Sequence, residues 1–209
     1  MLNLTVVVGL GLISVLGWNM TARAAYETAQ YEVIEKDGNI EIRQYPDLML
    51  ASVDTGEESQ GRDGSFMKLF RYISGANIAE QKIAMTTPVF MEDEHARSQG
   101  KMGFVLPQDV AAAGIPAPEA TDVKIRKRSG GRFAVIRFAG KLNSVTAREK
   151  EAELRKWLDT KGIIGEEFAE SAGYDAPFTP GPLRRNEVLI RLKEKNAASG
   201  SASIPEEDK

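Results

Sequence analysis

Cysteine is absent from all 209 residues, so the chain can form no disulfide, offers no thiolate to a metal and carries no cysteine nucleophile or lipidated cysteine. The fold has to hold by packing alone. Histidine is almost absent: His95 is the only one, and any serine-histidine-acid arrangement would have to use it. No nucleophile elbow exists to partner it, and no other constellation of acid and base groups stands out. A strong charge of one sign is also missing. With 27 Lys and Arg against 30 Asp and Glu the net charge is −3, which gives no bulk attraction to nucleic acid.

Long apolar runs are missing too, apart from one. Residues 2–18 are apolar or small except for Asn3, Thr5 and Ser14, and Thr21-Ala22-Arg23-Ala24-Ala25 follows. This is the pattern of a signal peptide, residues 1–24, cleaved at a small-residue site after Ala24; it predicts export to a periplasm or beyond the cell. No Lys or Arg precedes the run, and Gly9, Gly11 and Gly17 interrupt it. A second outcome stays open, an anchor that holds residues 2–18 in a membrane. Only in that case is a membrane partner expected. At the other end, residues 193–209 contain Ile204 as the single large apolar side chain. Burial of one side chain cannot offset the entropy of ordering, so a disordered tail is expected.

Between these ends, residues 30–192 read as one domain, with enough apolar content for a full core. Alternation on either side of Asp37-Gly38 predicts a hairpin of residues 31–36 and 39–45, followed by a strand at 48–53. The period then changes. Phe66, Leu69, Phe70 and Ile73 fall at i, i+3, i+4 and i+7, predicting a short helix with Ser65 as N-cap and Gly75 beyond its end. Met67, Lys68, Arg71 and Tyr72 are left for its outer side. Strands are predicted at 82–91 and 101–106, then a Pro/Ala link at 107–118. The second half repeats the plan. A strand at 123–127 leads to a Gly130-Gly131 turn, where Arg126, Lys127, Arg128 and Arg132 read as a solvated hairpin tip. The strand 132–138 follows, then a helix opened by the capping box Thr146-x-x-Glu149, with Leu154, Trp157 and Leu158 on one face and Gly162 at its end. A stretch at 170–182 and a strand at 186–192 complete it. Superposing the two helices sets 48–53 against 133–138 and 101–106 against 186–191. Such a duplication predicts an α+β domain: one sheet curled against two helices, with a groove near the pseudo-twofold axis.

Several segments in this order resemble the SOUL haem-binding protein family. They are Tyr31-Glu-Val-Ile-Glu with Ile40-Glu-Ile-Arg-Gln-Tyr45, Phe66-x-x-Leu-Phe-Arg-Tyr-Ile73 and, most specifically, Lys82-Ile-Ala-Met-Thr-Thr-Pro-Val89. Met102-x-Phe-Val-Leu-Pro107, Phe133-Ala-Val-Ile-Arg-Phe-Ala-Gly140 and Tyr174-Asp-Ala-Pro-Phe178 before Arg185-Asn-Glu-Val188 add to the resemblance, which spans about residues 30–192. It implies a distorted β-barrel of two pseudo-symmetric halves flanked by two α-helices. It also implies a non-catalytic protein that binds haem, or a metal-free porphyrin, as carrier, buffer or sensor; a tetrapyrrole is the expected partner and nucleic acid is not.

The resemblance implies haem attachment either through a histidine or in a hydrophobic groove. His95 sits in Glu92-Asp-Glu-His95-Ala-Arg-Ser-Gln-Gly100, a polar loop with nothing apolar to cover a macrocycle, and reads as a solvated residue rather than an iron ligand. The expected site is therefore a groove walled by the outer side of the first helix. There Met67 would lie against the ring, and Lys68 and Arg71 would serve its carboxylates through charge-assisted hydrogen bonds, with Arg62 a weaker companion. Two further readings stay open: an enzyme that modifies tetrapyrroles, and a membrane-tethered module that binds lipid or a partner protein in the same groove.

Overall fold

A computed structural model describes residues 26–55, 64–92, 100–176 and 178–193. The segment 1–24, Arg62, His95 and the tail from residue 194 lie outside the described residues. Eleven strands and three α-helices are formed among the described residues. In chain order they are β1 (Glu27–Thr28), β2 (Glu32–Asp37), β3 (Ile40–Tyr45), β4 (Leu48–Thr55), α1 (Ser65–Ile73), β5 (Thr86–Thr87), β6 (Val89–Glu92) and β7 (Gly100–Val105). Then come α2 (Gln108–Ala113), β8 (Lys124–Arg128), β9 (Gly131–Phe138), α3 (Ser144–Lys161), β10 (Gly165–Gly173) and β11 (Asn186–Leu192). Among these no helix is long and apolar enough to cross a membrane.

Nine strands form one antiparallel sheet in the order β2-β3-β9-β11-β10-β6-β7-β4-β8, while β1 and β5 pair separately. With β2 set aside, the order is two matching halves back to back: β3-β9-β11-β10 against β8-β4-β7-β6. The aligned segments of the two halves occupy equivalent places, β4 with β9 and β7 with β11. Alternation along each strand divides the side chains between two faces. Met49, Ala51 and Val53 of β4, with Met102 and Phe104 of β7, pack under α1 against Leu69, Tyr72 and Ile73. Ile40, Ile42, Ala134, Ile136, Val188 and Ile190 pack under α3 against Leu154 and Leu158. The opposite face of both halves makes a third cluster, including Tyr45, Leu50, Phe90, Phe133, Val135 and Leu189.

That third face is concave. β3 and β4 stand near opposite ends of the sheet, yet only Pro46 and Asp47 separate them; Ser129 and Gly130 alone separate β8 from β9. Two-residue links span at most about 10 Å, so the sheet must curl until its ends meet. The two links cross in contact: the Gly130 amide donates to Asp47 Oδ1 at 2.7 Å, and a Cβ on Gly130 would lie 2.5 Å from the Tyr45 carbonyl oxygen. No ladder joins β2 or β3 to β8. The expected α+β architecture is present, and the distorted β-barrel takes the form of a curled sheet that is not closed, with three helices rather than two among the described residues; α1 and α3 lie on its convex side.

Other expectations change locally. Gly130-Gly131 is a crossover, not a hairpin turn. Its neighbour Arg128 is only 3% exposed, because β8 alternates and directs Arg126 and Arg128 inward while Lys127 points to solvent. The helix cap before α1 is Gly64, in the left-handed region at φ 84°, and Ser65 is its first, buried residue. The α3 cap is Asn143, whose side chain accepts from the Thr146 amide at 2.9 Å, so the capping box is displaced. Pro88, which has no amide to give, divides the expected strand 82–91. The link 107–118 contains α2, and the stretch 170–182, left without an element by the sequence pattern, contains the end of β10. That strand escapes a hydrophobic pattern because small residues suffice at its close approaches: a Cβ on Gly165 would meet Ile190 Cγ2 at 2.6 Å.

Candidate functional site

Two regions of the fold combine apolar surface with charge, and they lie on opposite faces of the sheet. The first is the outer side of α1. Among its residues Ser65, Leu69, Tyr72 and Ile73 are buried, so the helix is rotated about its axis relative to the sequence pattern. Tyr72, expected outside, is 1% exposed and donates its hydroxyl to the Pro116 carbonyl at 2.9 Å. Phe70, expected in the core, is 43% exposed beside Met67 at 49%. Phe66 links this surface to the interior: its ring stacks on Phe70 at 6.2 Å and meets Phe104 edge-on at 5.1 Å.

Lys68 and Arg71 are exposed on the same helix. Lys68 Nζ is 2.8 Å from Asp122 Oδ2, both side chains remaining partly in water, and its hydrogen bond holds the Asp122 carboxyl below the usual range. The structure therefore brings Met67, Lys68 and Arg71 to one exposed surface and adds Phe70. The equivalent surface of α3 is different in kind: it carries the ion pairs Lys150–Glu153 and Arg155–Glu151. Among the described residues, an exposed aromatic beside an exposed thioether occurs on α1 only, which separates the two halves chemically.

The second region is the inside of the curl. At one end Glu187, with no exposed side-chain surface, accepts from Arg43 at 2.8 and 3.0 Å, from Arg185 at 3.0 and 2.7 Å and from the Tyr174 hydroxyl at 2.8 Å. Burial alone would push the Glu187 carboxyl up, but the bonds and charges of Arg43 and Arg185 outweigh it and hold the group ionised, below its ordinary value. Burial pushes Tyr45 up to about 12 and Tyr174 well above the ordinary tyrosine value. At the other end a cavity of about 240 Å³ opens between Arg126, Arg128, Arg191, Glu170, Phe133 and Phe168. Pockets that enclose drug-sized ligands run about 300–1,000 Å³. A cavity of that size is too small to enclose a tetrapyrrole macrocycle, whereas the open face of α1 sets no such limit on a flat ring.

Lys82-Ile-Ala-Met-Thr-Thr-Pro-Val89, the most specific segment of the sequence, makes structural contacts through its threonines. Thr86 donates its buried hydroxyl to the Val105 carbonyl, and the Thr28 and Thr87 hydroxyls share a hydrogen bond at 3.2 Å. Sequence reasoning missed the inward arginines and Glu187. Alternation in β11, where Glu187, Leu189 and Arg191 share a face, carried a signal for the latter.

An α+β domain with two topologically matched halves, one curled sheet and helices on its convex side defines the class to which this molecule belongs. The SOUL heme-binding protein family model matches residues 26–191, and the chain is a member of that family. It is 27% identical to heme-binding protein 2 of Mus musculus over 175 residues, 80% of this chain and 84% of that one. Heme-binding protein 1 of Xenopus tropicalis is 26% identical over 162 residues, 74% of this chain and 84% of that one. Among solved structures, the C-terminal domain of EcmrR superposes with a TM-score of 0.56 at 11% identity, covering 78% of this chain and 98% of its own. A hydrolase from Listeria innocua gives 0.56 at 11% identity, covering 77% and 94%. At such identities these two likenesses concern the fold.

Proposed function

We propose that this protein binds haem, or a closely related tetrapyrrole, on the outer face of α1 without turning it over. The observation that carries the site is the exposed Met67–Phe70 surface, rooted through Phe66 on Phe104 and bordered by Lys68 and Arg71. A flat apolar ring covers such a surface, and its carboxylates meet the two cations. Haem, when bound, would supply the redox or gas chemistry of its iron. The chain's own residues hold and orient the ring. Family membership and the haem-binding relatives support the ligand class; carrier, buffer and sensor roles share this step. We further propose that the domain acts outside the cytoplasm after cleavage behind Ala24. Mass spectrometry of protein from the native host checks this, and an intact Met1 in the membrane fraction would instead mark an anchor.

Absorbance titration with haemin, repeated with metal-free protoporphyrin, tests the site. Saturable binding with the porphyrin recovered unchanged is expected; a converted porphyrin would mean an enzyme. Met67→Ala with Phe70→Ala, and separately Lys68→Ala with Arg71→Ala, should each weaken binding about tenfold or more. Asp122→Asn releases Lys68 from a surface ion pair and should raise affinity roughly twofold. His95→Ala should stay within about threefold of the parent, since a residue that neither ligates iron nor covers the ring contributes little. Unchanged affinity in both double variants, or its collapse in His95→Ala, overturns the assignment.

A further inference from the structure

Because the chain has no cysteine, the thioethers of its seven methionines are its only sulfur, and no thiol of its own intercepts an oxidant before them. Met1 and Met20 precede the described residues; the other five all fall in the half that carries α1. Four of these are covered. Met102 is 4% exposed, and Met49, Met85 and Met91 are partly buried against the cluster beneath α1. Met67, on the outer side of the helix, is 49% exposed. It is the one exposed methionine among the described residues.

Chemistry at Met67 changes the surface of the helix without loosening its seat. Leu69, Tyr72 and Ile73 hold α1 from below, and Tyr72 also donates to Pro116. The neighbours of Met67 on the helix surface are instead Phe70 and Arg71, three and four residues on. A peroxide oxidises a thioether in one two-electron step. Sulfur attacks one peroxide oxygen, the O–O bond breaks as the S–O bond forms, and the second oxygen takes the proton of the first and leaves as water. An apolar side chain thereby becomes a polar sulfoxide. Beneath a flat ring, the new oxygen either loses its water without a partner or accepts a hydrogen bond from Arg71, drawing that cation away from the ligand's carboxylates. Both outcomes lower affinity.

We infer that Met67 is a redox-modification site, at which oxidation to the sulfoxide by a peroxide releases haem from α1 and reduction by a dithiol-dependent methionine sulfoxide reductase restores binding. In the reverse step two thiols become a disulfide, the sulfoxide oxygen leaves as water and the thioether returns. The inference rests on the α1 reading of the haem site and adds its regulation.

The test treats the haem-free protein with limiting hydrogen peroxide, maps the product by mass spectrometry and titrates it with haemin. Trypsin separates Met67, in residues 63–68, from Met49 in 44–62, from Met85 and Met91 in 83–97 and from Met102 in 102–124. Met67 should be oxidised first, with the circular dichroism spectrum unchanged and haemin affinity lowered about tenfold. Methionine sulfoxide reductase with dithiothreitol should restore that affinity. Met67→Leu should keep its own starting affinity through the same peroxide treatment. Oxidation of any of the other four methionines as fast as Met67, loss of helical signal on oxidation, undiminished affinity of the Met67 sulfoxide, or an equal peroxide effect in Met67→Leu would each overturn the proposal. Failure of the underlying reading looks different, because Met67→Ala/Phe70→Ala then leaves the affinity of the untreated protein unchanged. A parent that needs both residues for haemin yet tolerates oxidation of Met67 sinks the switch alone.

Discussion

Glu187 shows how a charge is kept inside a fold that has no disulfide. Its carboxylate has no exposed surface and accepts from Arg43, Arg185 and Tyr174, while Arg43 also donates to Glu41 at 2.8 Å and lies over the Tyr31 ring at 4.1 Å. Removing one partner of a buried pair leaves an uncompensated charge, so Glu187→Ala should lose about 3–5 kcal/mol in urea denaturation at pH 7. The pH dependence follows from the sign of the shift. Glu187 titrates below its ordinary value of 4.5 in the folded state, so the folded form binds its proton less readily than the unfolded chain does. The resulting stabilisation is present above pH 4.5 and is lost as the pH falls through the depressed folded value. Denaturation series at descending pH should therefore show parent and Glu187→Ala converging in acid. A constant difference down to pH 2 would contradict this account.

At the scale of elements, the two crossing links decide the shape of the sheet. Gly130 is required there because its neighbours are backbone: an added Cβ would meet the Tyr45 carbonyl oxygen at 2.5 Å, Pro46 C at 2.6 Å and Asp47 N at 2.9 Å. None of these is the movable end of a side chain. Gly130→Ala should cost at least roughly 1–3 kcal/mol, the range for forcing atoms into a packed site. Gly181→Ala is the matched control, since its Cβ would find only Gly140 Cα at 3.9 Å, and it should fall within about 0.5 kcal/mol of the parent. Urea midpoints compare them directly. Equal midpoints would mean that the links separate more easily than their contact implies.

For the whole molecule, two topologically similar halves present unlike outer surfaces. Leu69 under α1 and Leu154 under α3 are both fully buried, and truncating either to alanine should cost about 2–5 kcal/mol. Their effects on the ligand should differ. Leu69→Ala loosens the helix that presents Met67 and Phe70, so haemin affinity should fall. Leu154→Ala loosens a helix whose outer face holds ion pairs, so affinity should be unchanged under conditions where the variant remains folded. Equal losses would show that the ligand depends on global stability rather than on one half.

Order and kind of elements were largely legible in the sequence by itself, because period, caps and turn residues are local physics. The Asp37-Gly38 hairpin, a helix ending before Gly75, another ending at Gly162 and the alignment of β4 with β9 all follow from near neighbours in the chain. Met67, Lys68 and Arg71 could likewise be assigned to one exposed helix face. Tertiary structure alone decided the rest. Tyr72 turned inward because Pro116, far along the chain, accepts its hydroxyl, and Phe70 was rotated out in exchange. Arg126 and Arg128 read as a solvated tip because a strand with charges on both faces has no hydrophobic period; only the curl shows which face is enclosed. That curl depends on two short links meeting across the sheet, and on Gly130 at the point of contact. No local pattern specifies such a meeting, because its energy is realised only when residues more than 80 positions apart come into contact.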